Sequence, residues 1–261
     1  MKTGVLLASA ALWTGQPQRF LENAGSPTFM PDGRTMYFTR GGDHSSAIME
    51  SHRVGDAWSG AQVAPFSKEG SNQQPALAPD GSFLVWVSVR EHKANLWRVD
   101  RQGSSWTSPT RLPDAVNIGP SIWRPSIARD GSIYFFVIAK GDKGRTMRLY
   151  RAAWEHGAYV PAVPLSFSDG TKQDVDPEIA PDQSFIVFAS AGRSAPGDEH
   201  EHLFVAHRQG ADWGRVTPFR YEGADSTADE NEPRLGPGGR TLYFARGPNV
   251  WSLRIGKGLV E

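Results

Sequence analysis

Three carboxylates and two guanidinium groups recur at related places in the chain: Asp176, Glu178 and Glu232, with Arg124 and Arg234. Arg124, Asp176 and Glu232 each stand immediately before a proline, and Glu178 and Arg234 lie two residues further on. If the fold gathers these positions, several chemistries are open. Two carboxylates facing one another, one holding its proton because its pKa is raised, are the working parts of a glycoside hydrolase, with Asp176, Glu178 and Glu232 as candidates. Balanced by the two arginines, the same oxygens would instead orient a polar ligand or hold a divalent cation. The plainest outcome is mutual neutralisation, with Glu178 paired to Arg234 and water filling the space.

Other residues compete for attention. Trp123 sits in the apolar stretch "NIGPSIWRP", where its indole could stack on a sugar ring, anchor a peptide or cap a neighbouring core. Asp198, His200 and His202 alternate within "GDEHEHLF", so on an extended strand they would share one face and could ligate a metal; a solvated charged loop is the competing reading. The acidic stretch "YEGADSTADENE" lacks the spacing of a calcium loop and reads as a solvated linker. His44, in "GGDHSS", and His92, in "REHKA", fall in equivalent loops and would line one rim. Neither has a nucleophile to activate: the chain contains no G-x-S-x-G, no H-E-x-x-H and no phosphate-cradling glycine loop.

What could position these groups is a repeat. "SPTFMPDGRTMYFTR" from Ser26 returns as "QPALAPDGSFLVWVS" from Gln74, "RPSIARDGSIYFFVI" from Arg124, "DPEIAPDQSFIVFAS" from Asp176 and "EPRLGPGGRTLYFAR" from Glu232. The leading prolines, Pro27, Pro75, Pro125, Pro177 and Pro233, are spaced by 48, 50, 52 and 56 residues, a period that belongs to repeat architectures. Within each copy, Pro presets φ for a turn, Asp caps it and Gly accepts φ > 0, so the chain reverses there. The strand after the turn ("FLVWVS", "IYFFVI", "FIVFAS") is apolar at successive positions, which requires cover on both faces.

A third strand follows ("NLWRVD", "RLYRAA", "HLFVAH"), then a fourth led by an aromatic residue ("WSGAQVAPF", "WTSPTRL", "YVPAVPL", "WGRVTPF"). Four antiparallel strands repeated radially describe an all-β, five-bladed propeller. The fifth copy stops after "NVWSLRI", while an orphan fourth strand, "WTGQPQRF" (Trp13–Phe20), precedes the first. The N-terminal strand is therefore expected to complete the last blade and hide two sheet edges. The expected boundaries are 1–20 for the closing strand, then blades at 21–66, 67–112, 113–165, 166–219 and 220–261. The entry positions Ser26, Gln74, Arg124, Asp176 and Glu232, and two residues on Thr28, Ala76, Ser126, Glu178 and Arg234, should then ring a central channel. The longer, more varied loops at its entry end make that face the expected binding surface.

Composition narrows the partners. Lys+Arg and Asp+Glu both number 28, so no general attraction to nucleic acid or anionic membranes exists. Without cysteine there is no disulfide, thiolate metal site or thiol nucleophile. No apolar run is long enough to span a bilayer. The opening "MKTGVLLASAALW" imitates a secretion signal with a cleavage-like Ala8-Ser9-Ala10, though it is short for one, and an ordinary buried segment is the alternative.

The "PDG" hairpins resemble the PD40, or WD40-like, repeats of TolB-type propellers and of the propeller domains of prolyl-oligopeptidase relatives, over about Phe20 to Ile255. Arg129, Gln183 and Gly238 depart from the turn's Pro, Gly and Asp. The resemblance implies a propeller that binds a protein, peptide or small polar ligand, in a periplasmic or secreted setting. The residues expected to do so are Gln74, Trp123, Arg124, Asp176, Glu178, Glu232, Arg234, His44 and His92. No cofactor is expected beyond the divalent cation considered at the channel mouth.

Overall fold

The computed structural model describes residues 15–41, 46–141, 144–195, 197–224 and 227–256. His44, Trp13 and the cleavage-like Ala8–Ala10 fall outside them. The described chain is all-β apart from one short 3-10 turn, Pro237–Gly239. After β1 (Gln18–Leu21), five triplets follow in order. They are β2 (Gly25–Phe29), β3 (Thr35–Arg40) and β4 (Ala47–Val54); β5 (Ser71–Leu77), β6 (Phe83–Arg90) and β7 (Lys93–Gln102); β8 (Ser121–Ile127), β9 (Ile133–Gly141) and β10 (Gly144–Ala152); β11 (Gln173–Ile179), β12 (Phe185–Ala191) and β13 (His202–Gln209); and β14 (Glu230–Leu235), β15 (Thr241–Arg246) and β16 (Asn249–Arg254).

Each triplet is an antiparallel meander, and β1 pairs antiparallel with β16, Gln18 opposite Ser252 and Arg19 opposite Trp251. The expected continuous fourth strand is broken elsewhere into two-residue pieces: Ala57–Trp58 and Gln62–Val63 both pair with β4, and Ser105–Trp106 and Thr110–Arg111 both pair with β7. Glycine and proline in this stretch interrupt the ladder. The third and fourth triplets also touch through one parallel pair, Met147 opposite Gln173, which merges them into one larger sheet. The first strands of the triplets lie side by side in the order β2, β5, β8, β11, β14, and β14 lies beside β2.

Core side chains fill the spaces between adjacent sheets. Phe38, Trp86, Phe135, Phe188 and Phe244 come from the five middle strands and are all buried. The reversals between first and second strands repeat one design: Gly33 N–H donates to the Met30 carbonyl at 2.8 Å, and Asp32 Oδ1 accepts from Arg34 N–H at 2.9 Å. Two of the three turn departures have a use. Gln183 takes the left-handed φ of 62° that glycine takes elsewhere, and its amide accepts from the Tyr134 hydroxyl at 2.7 Å and donates to Asp130 at 2.8 Å, tying the fourth turn to the third repeat. Arg129, unlike proline, has an N–H, which donates to the Pro181 carbonyl at 2.8 Å.

The third reversal is one residue tighter: Ala128 N–H reaches the Ser132 carbonyl, whereas Ala78 reaches Phe83 and Ala180 reaches Phe185. Every later side chain on β9 therefore shifts by one, so Tyr134 stands opposite Ser126 as Tyr37 stands opposite Thr28.

Candidate functional site

The residue before each leading proline adopts the left-handed conformation: Ser26, Gln74, Arg124, Asp176 and Glu232 have φ between 51° and 55°. At the same point each first strand slips register against its middle strand, between residues 25 and 28, 73 and 76, 123 and 126, 175 and 178, and 231 and 234. Leaving proline out of the ladder costs no hydrogen bond, because it has no N–H to give. The freed N–H of the preceding residue turns to a neighbouring repeat. Gln74 N–H donates to Thr39 Oγ1 at 2.8 Å, Arg124 N–H to Gln74 Oε1 at 2.9 Å and Glu232 N–H to Asp176 Oδ2 at 3.0 Å. Five non-glycine residues held at positive φ store backbone strain of about 1–3 kcal/mol each, sustained only because these contacts over-determine them.

Two residues on, a second tier of side chains latches the first, third and fourth repeats to the next. Thr28 Oγ1 accepts from Leu77 N–H at 3.1 Å, Ser126 Oγ from Ile179 N–H at 3.0 Å and Glu178 Oε1 from Leu235 N–H at 2.8 Å. Glu178 Oε2 also accepts from Ser126 Oγ at 2.8 Å and from Arg234 Nη1 at 2.6 Å. Arg234 is almost fully buried, and its Nη2 reaches the Pro75 and Pro125 carbonyls at 3.3 and 3.1 Å. Burial, reinforced by the Arg124 charge and opposed by Glu178, brings the Arg234 pKa down to about 10. The Glu178–Arg234 pair expected from the sequence is present. Arg124 does otherwise: its Nη2 donates to the Glu232 and Pro233 carbonyls at 2.6 and 2.9 Å, so this fully buried cation neutralises no carboxylate by direct contact.

Asp176 and Glu232 lie at the loop end of this channel. Glu232 accepts from Ser26 Oγ at 2.7 Å and more loosely from Gln74 Nε2 at 3.5 Å. Its carboxylate presses so closely on Gly25 that a Cβ there would meet an oxygen at 2.9 Å. Burial first, and the nearby Glu232 charge second, push the Asp176 carboxyl up to about 7, against the pull of Arg124. Glu201, which sequence reasoning passed over in favour of its histidine neighbours, joins them: burial raises its pKa, and it accepts from Asn231 Nδ2 at 2.7 Å. The only sign of it in the sequence was the alternation in "DEHEH".

A raised folded-state pKa means that the stability contributed by the Asp176 proton is present in full below the unfolded value of 3.8 and is lost as pH rises through about 7. Asp176→Asn, which can still accept from Glu232 N–H, should therefore flatten the fall in stability between those two values. Urea midpoints measured across that range check this; parallel slopes for variant and wild type would contradict it.

A cavity of about 450 Å³ opens at the other end of the channel. Thr28, Ser126, Glu178 and Arg234 form its floor, and the five turns, with Pro31, Asp80, Arg129, Asp182 and Pro237 among them, form its wall. Of the residues expected to bind, Glu178 and Arg234 line this cavity, whereas Gln74, Arg124, Asp176 and Glu232 lie at the loop end, bonded to one another and to backbone.

His92 is exposed at the tip of the tight β6–β7 hairpin, at φ 62°. Trp123 is half-buried, packed against both adjoining core clusters, and its Nε1 donates to Ser121 Oγ at 2.6 Å. The two loop histidines face different carboxylates: His202 Nε2 is 3.1 Å from Asp198, and His200 Nδ1 is 3.3 Å from Asp229. Among the described residues no three metal-ligating side chains converge. No helix among them is long and apolar enough to cross a membrane.

No family model matches the sequence, and no curated protein matches it. Solved structures do. A TolB-type protein from Agrobacterium tumefaciens superposes with a TM-score of 0.59 at 16% identity, covering 87% of this chain and 70% of its own. TolB from Acinetobacter baumannii gives 0.56 at 17% identity, covering 90% of this chain and 55% of its own, so the chain spans just over half of that protein. A thermostable family-43 glycoside hydrolase gives 0.58 at 11% identity, covering 89% and 88%. Together with the radial succession of antiparallel sheets, these likenesses show that the chain has a β-propeller fold, as the two TolB structures do.

Proposed function

We propose that this propeller is a closed ring of five PD40-type blades, sealed by its N-terminal strand, that works by binding a protein, peptide or small polar ligand rather than by catalysis. Supporting the ring are the five prolines, the contact between β14 and β2, and the pairing of β1 with β16. The observation that carries the functional reading is the state of the channel carboxylates. Glu178 is held by Arg234, Ser126 and a backbone N–H, and Glu232 by Ser26, instead of standing free at the floor of an open pocket. The cavity at the turn end, about 450 Å³ with a polar floor, is of ligand-binding size and is our choice of mouth in place of the loop face. Export to a periplasmic or extracellular setting is part of this proposal and rests on the PD40 resemblance.

Affinity capture with the wild-type chain and with the exposed-rim variant Arg129→Glu tests the mouth. A partner retained by the first and lost by the second is expected; undiminished capture by the variant overturns the turn-end assignment.

One observation favours a second reading. Asp176, raised to about 7 beside Glu232, has the protonation behaviour of a general acid, and one similar structure is a glycoside hydrolase. Under this reading the chain cleaves aryl glycosides and Glu232→Gln abolishes the cleavage. Cleavage that survives the substitution excludes Glu232 from the chemistry.

A further inference from the structure

At the boundaries between repeats, a tyrosine of the middle strand reaches toward the next repeat. Tyr37, Tyr134 and Tyr243 are equivalent, because they stand opposite Thr28, Ser126 and Arg234. Between the first and second repeats, Tyr37 meets the Trp106 ring edge-on at 5.9 Å, Trp106 Nε1 donates to the Tyr37 hydroxyl at 3.2 Å, and the Arg101 guanidinium lies 5.5 Å from the indole. Between the third and fourth, Tyr134 meets Trp213 edge-on at 6.5 Å, while Arg208 lies 4.4 Å from that indole and donates to the Tyr134 hydroxyl at 3.4 Å. Tyrosine, tryptophan and arginine thus form a closed clasp twice.

The same three residue types meet between the fifth and first repeats, as Tyr243, Trp58 and Arg53, but there the clasp is open. Phe29, in a position that Leu77 and Ile179 fill at the two closed clasps, lies 4.8 Å from Tyr243 and 6.1 Å from Trp58. Among the described residues, neither the Tyr243 hydroxyl nor Trp58 Nε1 has a hydrogen-bond partner. A cavity of about 690 Å³ occupies the gap, lined by Phe29, Arg34, Arg53, Trp58, Pro237 and Tyr243. Arg53 lies loosely over Trp58, 6.0 Å from its ring, and otherwise reaches the Gly55 carbonyl at 3.2 Å and Asp56 at 3.9 Å, and the exposed Arg34 guanidinium has no partner among the described residues.

We propose that this open clasp is a binding site for a tryptophan side chain flanked by a carboxylate, presented by a partner peptide. The closed clasps supply the template: in both, an indole lies edge-on to the tyrosine with a guanidinium against its ring, and the tyrosine hydroxyl accepts an N–H, from the indole of Trp106 in the first and from Arg208 in the second. Among the described lining residues two guanidinium groups, Arg34 and Arg53, stand against one carboxylate, Asp32, which leaves the site with an excess of positive charge complementary to an anion. The site goes beyond the channel reading: Phe29 and Pro237 line both cavities, but neither the Glu178–Arg234 floor nor the second, third and fourth turns take part.

N-acetyl-L-tryptophan titrated into the full chain, followed by NMR at the Trp58 indole N–H and by calorimetry, is the test. Saturable binding that shifts the Trp58 signal is expected, with Tyr243→Phe about fivefold weaker, since it keeps the ring and loses one hydrogen bond. Replacing the probe's carboxylate by an amide should weaken binding about fivefold, and Arg53→Gln, at an exposed side chain, should erase that difference. No shift of the Trp58 signal, equal affinity for Tyr243→Phe and wild type, or equal affinity for acid and amide overturns the proposal.

Discussion

Arg234→Met should lower the unfolding free energy by about 3–5 kcal/mol, because it strands the Glu178 carboxylate in a site from which water is largely excluded. The arginine also leaves behind the Pro75 and Pro125 carbonyls, so one substitution loosens contacts to the second, third and fourth repeats together. Removing the stranded charge as well should recover much of the loss: in Arg234→Met/Glu178→Gln the amide oxygen can still accept from Leu235 N–H, and the pair should fall only about 1–2 kcal/mol below wild type. Denaturant midpoints at constant slope read both values. A single-variant loss under about 1 kcal/mol would mean that water already solvates the channel pair.

Deleting residues 1–21 should cost about 3–5 kcal/mol and cause concentration-dependent association. The cost combines the ladder between β1 and β16 with the loss of Phe20, whose ring packs 4.7 Å from Tyr243 and 6.1 Å from Phe29. The association follows from the bare β16 edge, a row of unpaired backbone groups that any extended chain can template. Thermal melts and size-exclusion chromatography read the two effects, and a synthetic peptide of residues 15–22 added in trans should reverse both. A truncated chain that stays monomeric with an unchanged melt would contradict the role assigned to the N-terminal strand.

The all-β character and the placement of the first strands were legible because proline, aspartate and glycine at a fixed offset report backbone geometry directly: each requires a particular φ or lacks a particular donor. The pairing of Glu178 with Arg234 was legible for a related reason, since equivalent positions in neighbouring repeats are brought together by the period alone. The one-residue contraction after Gly131 was not. Nothing local marks a shorter hairpin, yet it moves Tyr134 to the face that would otherwise hold Phe135, and only the hydrogen-bond register reveals it.

The sequence by itself determined a repeated hairpin, a strand before the first copy able to complete the last, and a set of charged residues carried to a common axis. The tertiary structure decided what those charges do. Whether Arg124 meets a carboxylate or a carbonyl, whether Asp176 keeps a proton, and at which end of the channel a cavity remains all depend on distances between repeats, such as Asp176 to Glu232, 56 positions apart, and Arg124 to Glu232, 108 apart. It also decided that one of three Tyr–Trp–Arg clasps stands open, because the bulk of Phe29 is felt only where the fifth repeat meets the first.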